Sequence, residues 1–202
     1  LDIEVTDFGS GAKGLQALVG RNVDLNIGVH EHTLVMQAKG QELRSIVCYS
    51  NATGTVLAVT KSFAPKYTGI KDLKGAKIGV SAPGSSTHMF LNQLLAQNGL
   101  KPEDVSVIGI GNAAGAVAAV RTGGELQAIV NFDPVISELE MTGDIKPVID
   151  LRSLEATKSF YKRDYTFLTA YTTPDFIQRN PQACQALTSG VIRALKWMQT
   201  AK

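Results

Sequence analysis

Cysteine, histidine and aromatic side chains are scarce in this chain, and each shortage removes a class of function. Two cysteines, Cys48 and Cys184, stand far apart with no C-x-x-C pair between them, which excludes zinc-ribbon and dithiol-redox spacing. Both sit in apolar or helical stretches and read as buried thiols, with a disulfide between them left open. Three histidines supply little for a metal. His30 and His32 flank Glu31, but no distant third ligand is obvious, so no metal is expected. Aromatics make up 6%, and no aromatic-lined pocket is evident.

Long apolar runs are also missing. None approaches the ~18 residues that a bilayer span requires, so no direct membrane insertion is expected. A basic segment followed by a short apolar stretch is lacking too, so any export signal is expected to lie outside this chain. Twenty basic against eighteen acidic residues leave a formal charge of +2. They are scattered, which is not the clustered footprint of a nucleic-acid binder. The G-x-S-x-G elbow, the P-loop and a suggestively placed carboxylate pair are absent from the sequence, so no catalytic residue and no cofactor is assigned. Ser86 and His88 lie too close along one helix to make a nucleophile and its base.

What is present is an ordinary globular composition, 44% hydrophobic, with an internal echo. Residues 2–11 run into a helical pattern over Ala12–Val19. Residues 104–113 run into Ala114–Arg121, followed by Thr122 and two glycines. An offset of 102 pairs Ile3 with Val105, Val5 with Val107, Gly9 with Gly111 and Leu18 with Val120. An offset of 103 then lays Val23–Ile27 over Leu126–Val130. Each copy reads as strand, glycine-bearing turn, small-residue helix and second strand, its two strands expected to be parallel neighbours. A third unit precedes the second copy: strand Ala76–Val80, loop Ser81–Ser86, and helix Thr87–Asn98 stopped by Gly99. Gly54–Thr60 and Tyr165–Tyr171 read as further strands, and Pro174 and Pro181 open helices. Alternating strands and helices of this kind imply an α/β fold with largely parallel sheets.

Ligands of open α/β sheets bind beyond the carboxyl ends of strands. Four loops qualify: one with Ser10 and Gly11, one with His30 and Glu31, one with Ser85, Ser86 and Thr87, and one with Asn131 and Asp133. Asn112 lies in the turn of the second copy. The hydroxyl-rich loop is the sharpest element, because a helix N-terminus favours anions and hydroxyls add hydrogen bonds. Ser85 or Ser86 can equally serve as a plain helix cap. Asn131 and Asp133 suit an amine or hydroxyl, or else cap the helix that follows. Gly109-Ile-Gly-Asn-Ala-Ala-Gly115 imitates a dinucleotide fingerprint, with Asp133 about twenty residues on, but its spacing is G-x-G-x-x-x-G.

Several stretches together resemble the solute-binding proteins of sulfonate/nitrate/taurine-type ABC importers. These are Gly14–Leu18 with Val23–Gly28, Gln37–Leu43, Asp72–Gly79, Gly84-Ser-Ser-Thr87, Ala118–Val120 with Gly123, and Asn131-Phe-Asp-Pro134. The resemblance implies a type II periplasmic-binding-protein-like fold of two lobes, with residues 1–60 and 165–202 in the first and 61–164 in the second. It further implies hinge closure on a small organic anion, a membrane permease as partner, and a periplasmic or lipid-anchored location. By that likeness Ser85–Thr87 grip the anionic group in an interlobe cleft, and Ser10, His30 and Asn131 complete it. The family's opening strand and turn are expected to be absent, since the chain starts directly on the second strand. An enzyme of the pyrimidine-precursor type on the same fold, or the effector domain of a transcription regulator, stand as alternatives. The former would need a histidine- and cysteine-rich stretch, and the latter a helix-turn-helix.

Overall fold

The computed structural model describes residues 2–122 and 125–201. Leu1, where the first expected strand begins, and Gly123 and Gly124, the expected stop of the second copy's helix, lie outside them. Along the chain run α1 (Gly11–Val19), β1 (Asn26–Val29), α2 (Glu31–Ala38), β2 (Arg44–Ser50), β3 (Val56–Thr60), β4 (Lys77–Val80) and α3 (Ser86–Gln97). After them come β5 (Ser106–Gly109), α4 (Ala114–Thr122), β6 (Ala128–Asn131), α5 (Val135–Met141), β7 (Ile145–Asp150), α6 (Leu154–Tyr161), β8 (Leu168–Thr172), α7 (Pro174–Arg179) and α8 (Pro181–Thr200). The chain divides into two compact units, Leu1–Ala52 with Arg163–Lys202, and Thr53–Lys162. Residues 53–60 fall in the second unit rather than with residues 1–52, because β3 forms its ladders there, with β6 and β7.

The second unit carries a five-stranded sheet in the order β5-β4-β6-β3-β7. β5, β4 and β6 are parallel, and β3 runs antiparallel to both of its neighbours. The two strands expected to be neighbours, β5 and β6, are parallel but have β4 between them. The third strand-helix unit is thus inserted into the second copy. Side-chain alternation then sorts the core. Leu57, Val59, Ile78, Val80, Ala128 and Val130 meet Phe90, Leu91, Leu94 and Leu95 of α3 on one face. Val56, Ala58 and Ile129 meet Ala116 and Val117 of α4 and Val135, Ile136 and Leu139 of α5 on the other. β3 is buried at every residue, which is why it reads as an unbroken apolar run.

The first unit carries a three-stranded sheet, β1-β8-β2, antiparallel throughout. Here the strand expected at the start of the first repeat copy is corrected. Residues 2–8 form no strand, and Ile3 and Val5 are exposed. Alternating apolar residues make a strand only when a ladder partner takes up their backbone groups. Among the described residues none does so for this segment. The second half of the internal echo fares better. β1 pairs antiparallel with β8, and its counterpart β6 pairs antiparallel with β3.

The core of the first unit is small: Leu18, Met36, Leu43 and Tyr171. Beside it lies a buried polar knot. The Tyr171 hydroxyl accepts from Asn26 Nδ2 at 2.6 Å and lies 2.9 Å from His32 Nδ1. Cys184 is buried as expected, whereas Cys48 is exposed on β2 and both thiols are free. Cys48 faces outward with its sulfur near Ser50 O and Asn51 Oδ1.

Gly14 tests how tightly the knot is held. A Cβ at this position in α1 would lie 2.2 Å from Asn26 Oδ1 and 3.0 Å from its Cγ. In a free helix, glycine to alanine gains about 1 kcal/mol. Here the buried Asn26 amide is tied to Tyr171 and to Gly11 O, and overpacking costs typically ~1–3 kcal/mol. Gly14→Ala is therefore expected to lower stability by up to about 2 kcal/mol, read as a drop in urea midpoint at unchanged slope. A raised midpoint would mean that Asn26 moves aside without cost.

Candidate functional site

Within the second unit, the carboxyl ends of β5, β4 and β6 are laced together. Ile110 N donates to Val80 O at 2.8 Å and Gly111 N to Ser81 O at 3.0 Å. Asn131, wholly buried at the end of β6, donates from Nδ2 to Gly111 O at 2.9 Å and accepts from Phe132 N. The loop after β4 therefore stands on a fixed base. Gly111 has φ +78, a left-handed turn that glycine adopts without steric cost.

From that base the chain turns through Ala82, Pro83 and Gly84 into α3. Ser85 holds the N-cap position, but its hydroxyl makes no capping bond. It points inward. Ser81, Ser85 and Thr87 are all buried, and their hydroxyl oxygens form a triangle with sides of 2.9, 3.0 and 2.8 Å. Ser81 N donates to Thr87 Oγ1 at 3.0 Å and Ala82 N to Ser85 Oγ at 3.4 Å. If each hydroxyl donates once around the ring, all three protons are used internally. Elsewhere in the chain Ser10, Ser153 and Thr173 do cap, accepting from Lys13, Ala156 and Phe176 backbone N–H groups.

The contrast has a chemical consequence. The first-turn N–H groups of a helix have no intrahelical partner, and in α3 the N-cap side chain does not take them. They, together with the half-exposed Ser86 hydroxyl, form a donor cluster at the positive end of a twelve-residue helix. Oxygen acceptors of an anion suit such a cluster. Sequence reasoning treated three hydroxyls as equivalent. The structure gives Ser85 and Thr87 a building role and leaves Ser86 only partly buried. Ser81, the residue directly after β4, is buried with Ser85 and Thr87 and carries no motif that marks it.

His88 completes the loop. Its Nδ1 accepts from Gly84 N at 2.9 Å, and partial burial pushes its pKa below the ordinary value. That nitrogen is engaged with the backbone and is no base for Ser86.

The remaining sequence candidates fall into separate roles. Asn112 follows Gly111 on the exposed side of the same strand ends. Asp133 closes the first turn of α5, its Oδ1 accepting from Ser137 N at 3.0 Å and Ser137 Oγ at 2.6 Å, with Arg152 at 3.9 Å. In the first unit, Ser10 caps α1 and Gly11 opens it, next to the His32 ring. His30, at the start of α2, reaches Ser45 Oγ through Nδ1 at 3.0 Å. Ser45 donates in turn to Thr169 at 3.1 Å, a polar row over β2 and β8 that no sequence motif marks. Glu31 accepts from the Tyr165 hydroxyl. His32 turns instead into the buried knot with Tyr171, so the two histidines have separate partners.

Known proteins resemble this chain along its whole length. A family model described as NMT1/THI5-like matches residues 1–201. A solved structure from Bordetella bronchiseptica RB50 is 47% identical, with a TM-score of 0.95, over 100% of this chain and 63% of its own. The alkanesulfonate-binding protein SsuA from Xanthomonas axonopodis pv. citri, bound to MOPS, is 23% identical with a TM-score of 0.73, over 96% of this chain and 62% of its own. The periplasmic nitrate-binding protein NrtA from Synechocystis PCC 6803 is 19% identical with a TM-score of 0.74, over 97% of this chain and 54% of its own. The chain thus spans less than two thirds of the length of these relatives, and the fold they share with it is the periplasmic-binding-protein fold. No curated protein matches.

Proposed function

We propose, from the premise that the chain belongs to the NMT1/THI5-like family, that it captures a small organic anion for an ABC importer. In this reading the ligand carries a sulfonate- or carboxylate-like group, the partner is a membrane permease, and the protein works in the periplasm. The observation that carries it is the uncapped N-terminus of α3, where Ser85 turns inward and Ser86 stays half-exposed beside the first-turn N–H groups. Related proteins of similar fold are described as binding alkanesulfonate and nitrate, which supports an anionic ligand. In this reading the site binds rather than catalyses, which the engagement of His88 Nδ1 by Gly84 and the mutual bonding of the buried hydroxyls support. Asn112 and Asn131 belong to the same strand ends and shape the floor of the site.

A thermal-unfolding panel of sulfonates, carboxylates and nitrate tests this. A ligand that binds only the native state adds about 2.7 kcal/mol at a hundredfold excess over its dissociation constant. One anion class is expected to raise the melting temperature, and Ser86→Ala is expected to weaken that anion about three- to tenfold, the worth of one hydrogen bond. A flat panel on well-folded protein would sink the proposal. A full response in Ser86→Ala would remove the serine hydroxyl from it.

A further inference from the structure

Resting on the anion-binding reading of the α3 loop, we infer that His88 is a positioning residue, and that the loop is assembled only while its imidazole is neutral. The geometry is specific. Gly84 stands at φ +79, and its N–H donates to His88 Nδ1 at 2.9 Å. Only an unprotonated Nδ1 accepts a hydrogen bond, so the neutral ring carries its proton on Nε2. Gly84 immediately precedes the N-cap Ser85. The bond from one turn inside α3 back to Gly84 therefore fixes the approach of the chain to the very N–H groups that face an anion.

Protonation puts a hydrogen on Nδ1 opposite the Gly84 N–H, and the two donors repel. The sign of the effect is opposite to simple charge attraction. A histidinium near an anion site ordinarily strengthens binding as pH falls. Here acid removes the acceptor that shapes the loop, so affinity falls. Burial shifts this imidazole downward, and donation from Gly84 N to the neutral Nδ1 acts in the same direction. No carboxylate or cation among the described residues contributes to that shift. A histidine with a lowered native pKa contributes stability that is complete above the unfolded value of about 6.5 and declines as pH falls through it. The loss of loop order is centred lower, on the depressed native value.

The test begins without ligand. In long-range proton–nitrogen spectra His88 is expected as the Nε2–H tautomer at pH 8, with the Gly84 amide protected from exchange and that protection lost toward pH 5. His88→Asn places an amide oxygen where Nδ1 lies and does not titrate, so it is expected to keep Gly84 protected at both pH values. His88→Leu is expected to expose Gly84 throughout. With ethanesulfonate, which stays an anion throughout this range, as the probe, affinity is expected to fall several-fold from pH 8 to pH 5 in the natural sequence and to stay level in His88→Asn. Affinity that rises as pH falls, or a Gly84 amide equally exposed in the natural sequence and His88→Leu, overturns the inference. If Gly84 behaves as described but no anion binds at either pH, the positioning role stands and the anion-binding reading fails.

Discussion

Tyr171→Phe is expected to destabilise the first unit by about 2–4 kcal/mol, although it deletes one oxygen and keeps the ring. Tyr171 is fully buried in the middle strand of the β1-β8-β2 sheet. Its hydroxyl accepts from Asn26 Nδ2 at 2.6 Å and meets His32 Nδ1 at 2.9 Å, and both residues are buried as well. Phenylalanine leaves two polar groups short of the partner they folded around. Each buried group that loses its partner costs about 1–3 kcal/mol. Relaxation is restricted, because a Cβ on Gly14 or Gly28 would already lie within 3 Å of Asn26 Oδ1 or the Tyr171 hydroxyl, at 2.2 and 2.9 Å. For a domain of this size the loss corresponds to roughly 5–15 °C in melting temperature.

The same residue sets an alkaline limit. Burial raises the Tyr171 pKa to about 12, against about 10 in the unfolded chain. The native state then holds a proton that the unfolded state releases, so stability is intact below pH 10 and is lost as pH rises from 10 towards 12. That span is worth on the order of 3 kcal/mol. Denaturant midpoints measured from pH 8 to 11 are expected to converge, the natural sequence falling toward Tyr171→Phe. Parallel curves would show that Tyr171 does not control the alkaline transition.

How far the sequence reached depends on whether a feature was local. The β4–α3 unit was legible because Ile78 and Val80 alternate, because Phe90, Leu91, Leu94 and Leu95 recur at helical spacing, and because Asn98 and Gly99 end the helix. Period and stop signals act within a dozen residues. Strand order is not local: β4 lies between β5 and β6, and nothing in 104–131 announces the insertion. The segment around Ile3 and Val5 shows the reverse failure. Its alternation is a valid strand pattern, but a pattern makes a strand only beside a partner. The hydroxyl loop is legible as a motif, yet its division of labour is not, since nothing local separates buried Ser85 from partly buried Ser86. Tyr171 gave no signal at all. It ends a predicted strand, and its meaning comes from Asn26, 145 positions away in the chain.

Thr87→Val carries the largest expected effect on the binding loop, and it works by taking apart the base on which Ser86 stands. Thr87 is fully buried, and valine matches its shape while removing the oxygen. That oxygen accepts from Ser81 N at 3.0 Å and touches the Ser81 and Ser85 hydroxyls at 3.0 and 2.8 Å. Valine strands a buried N–H and opens the hydroxyl ring, costing about 1–3 kcal/mol of stability. The ring breaks at a particular place. Ser85 loses its neighbour and is free to rotate outward, where its oxygen can accept from the first-turn N–H groups of α3 as an ordinary cap. The variant's own side chain then competes for the donors that an anion needs. Thr87→Val is therefore expected to weaken the responding anion by more than tenfold, beyond the loss from Ser86→Ala. Thr87→Ser, which restores the oxygen, is expected to recover most of the affinity at some cost in packing. Titration calorimetry on the three variants decides the matter. If Thr87→Val binds as tightly as Thr87→Ser, the inward ring is not what keeps the helix N-terminus open.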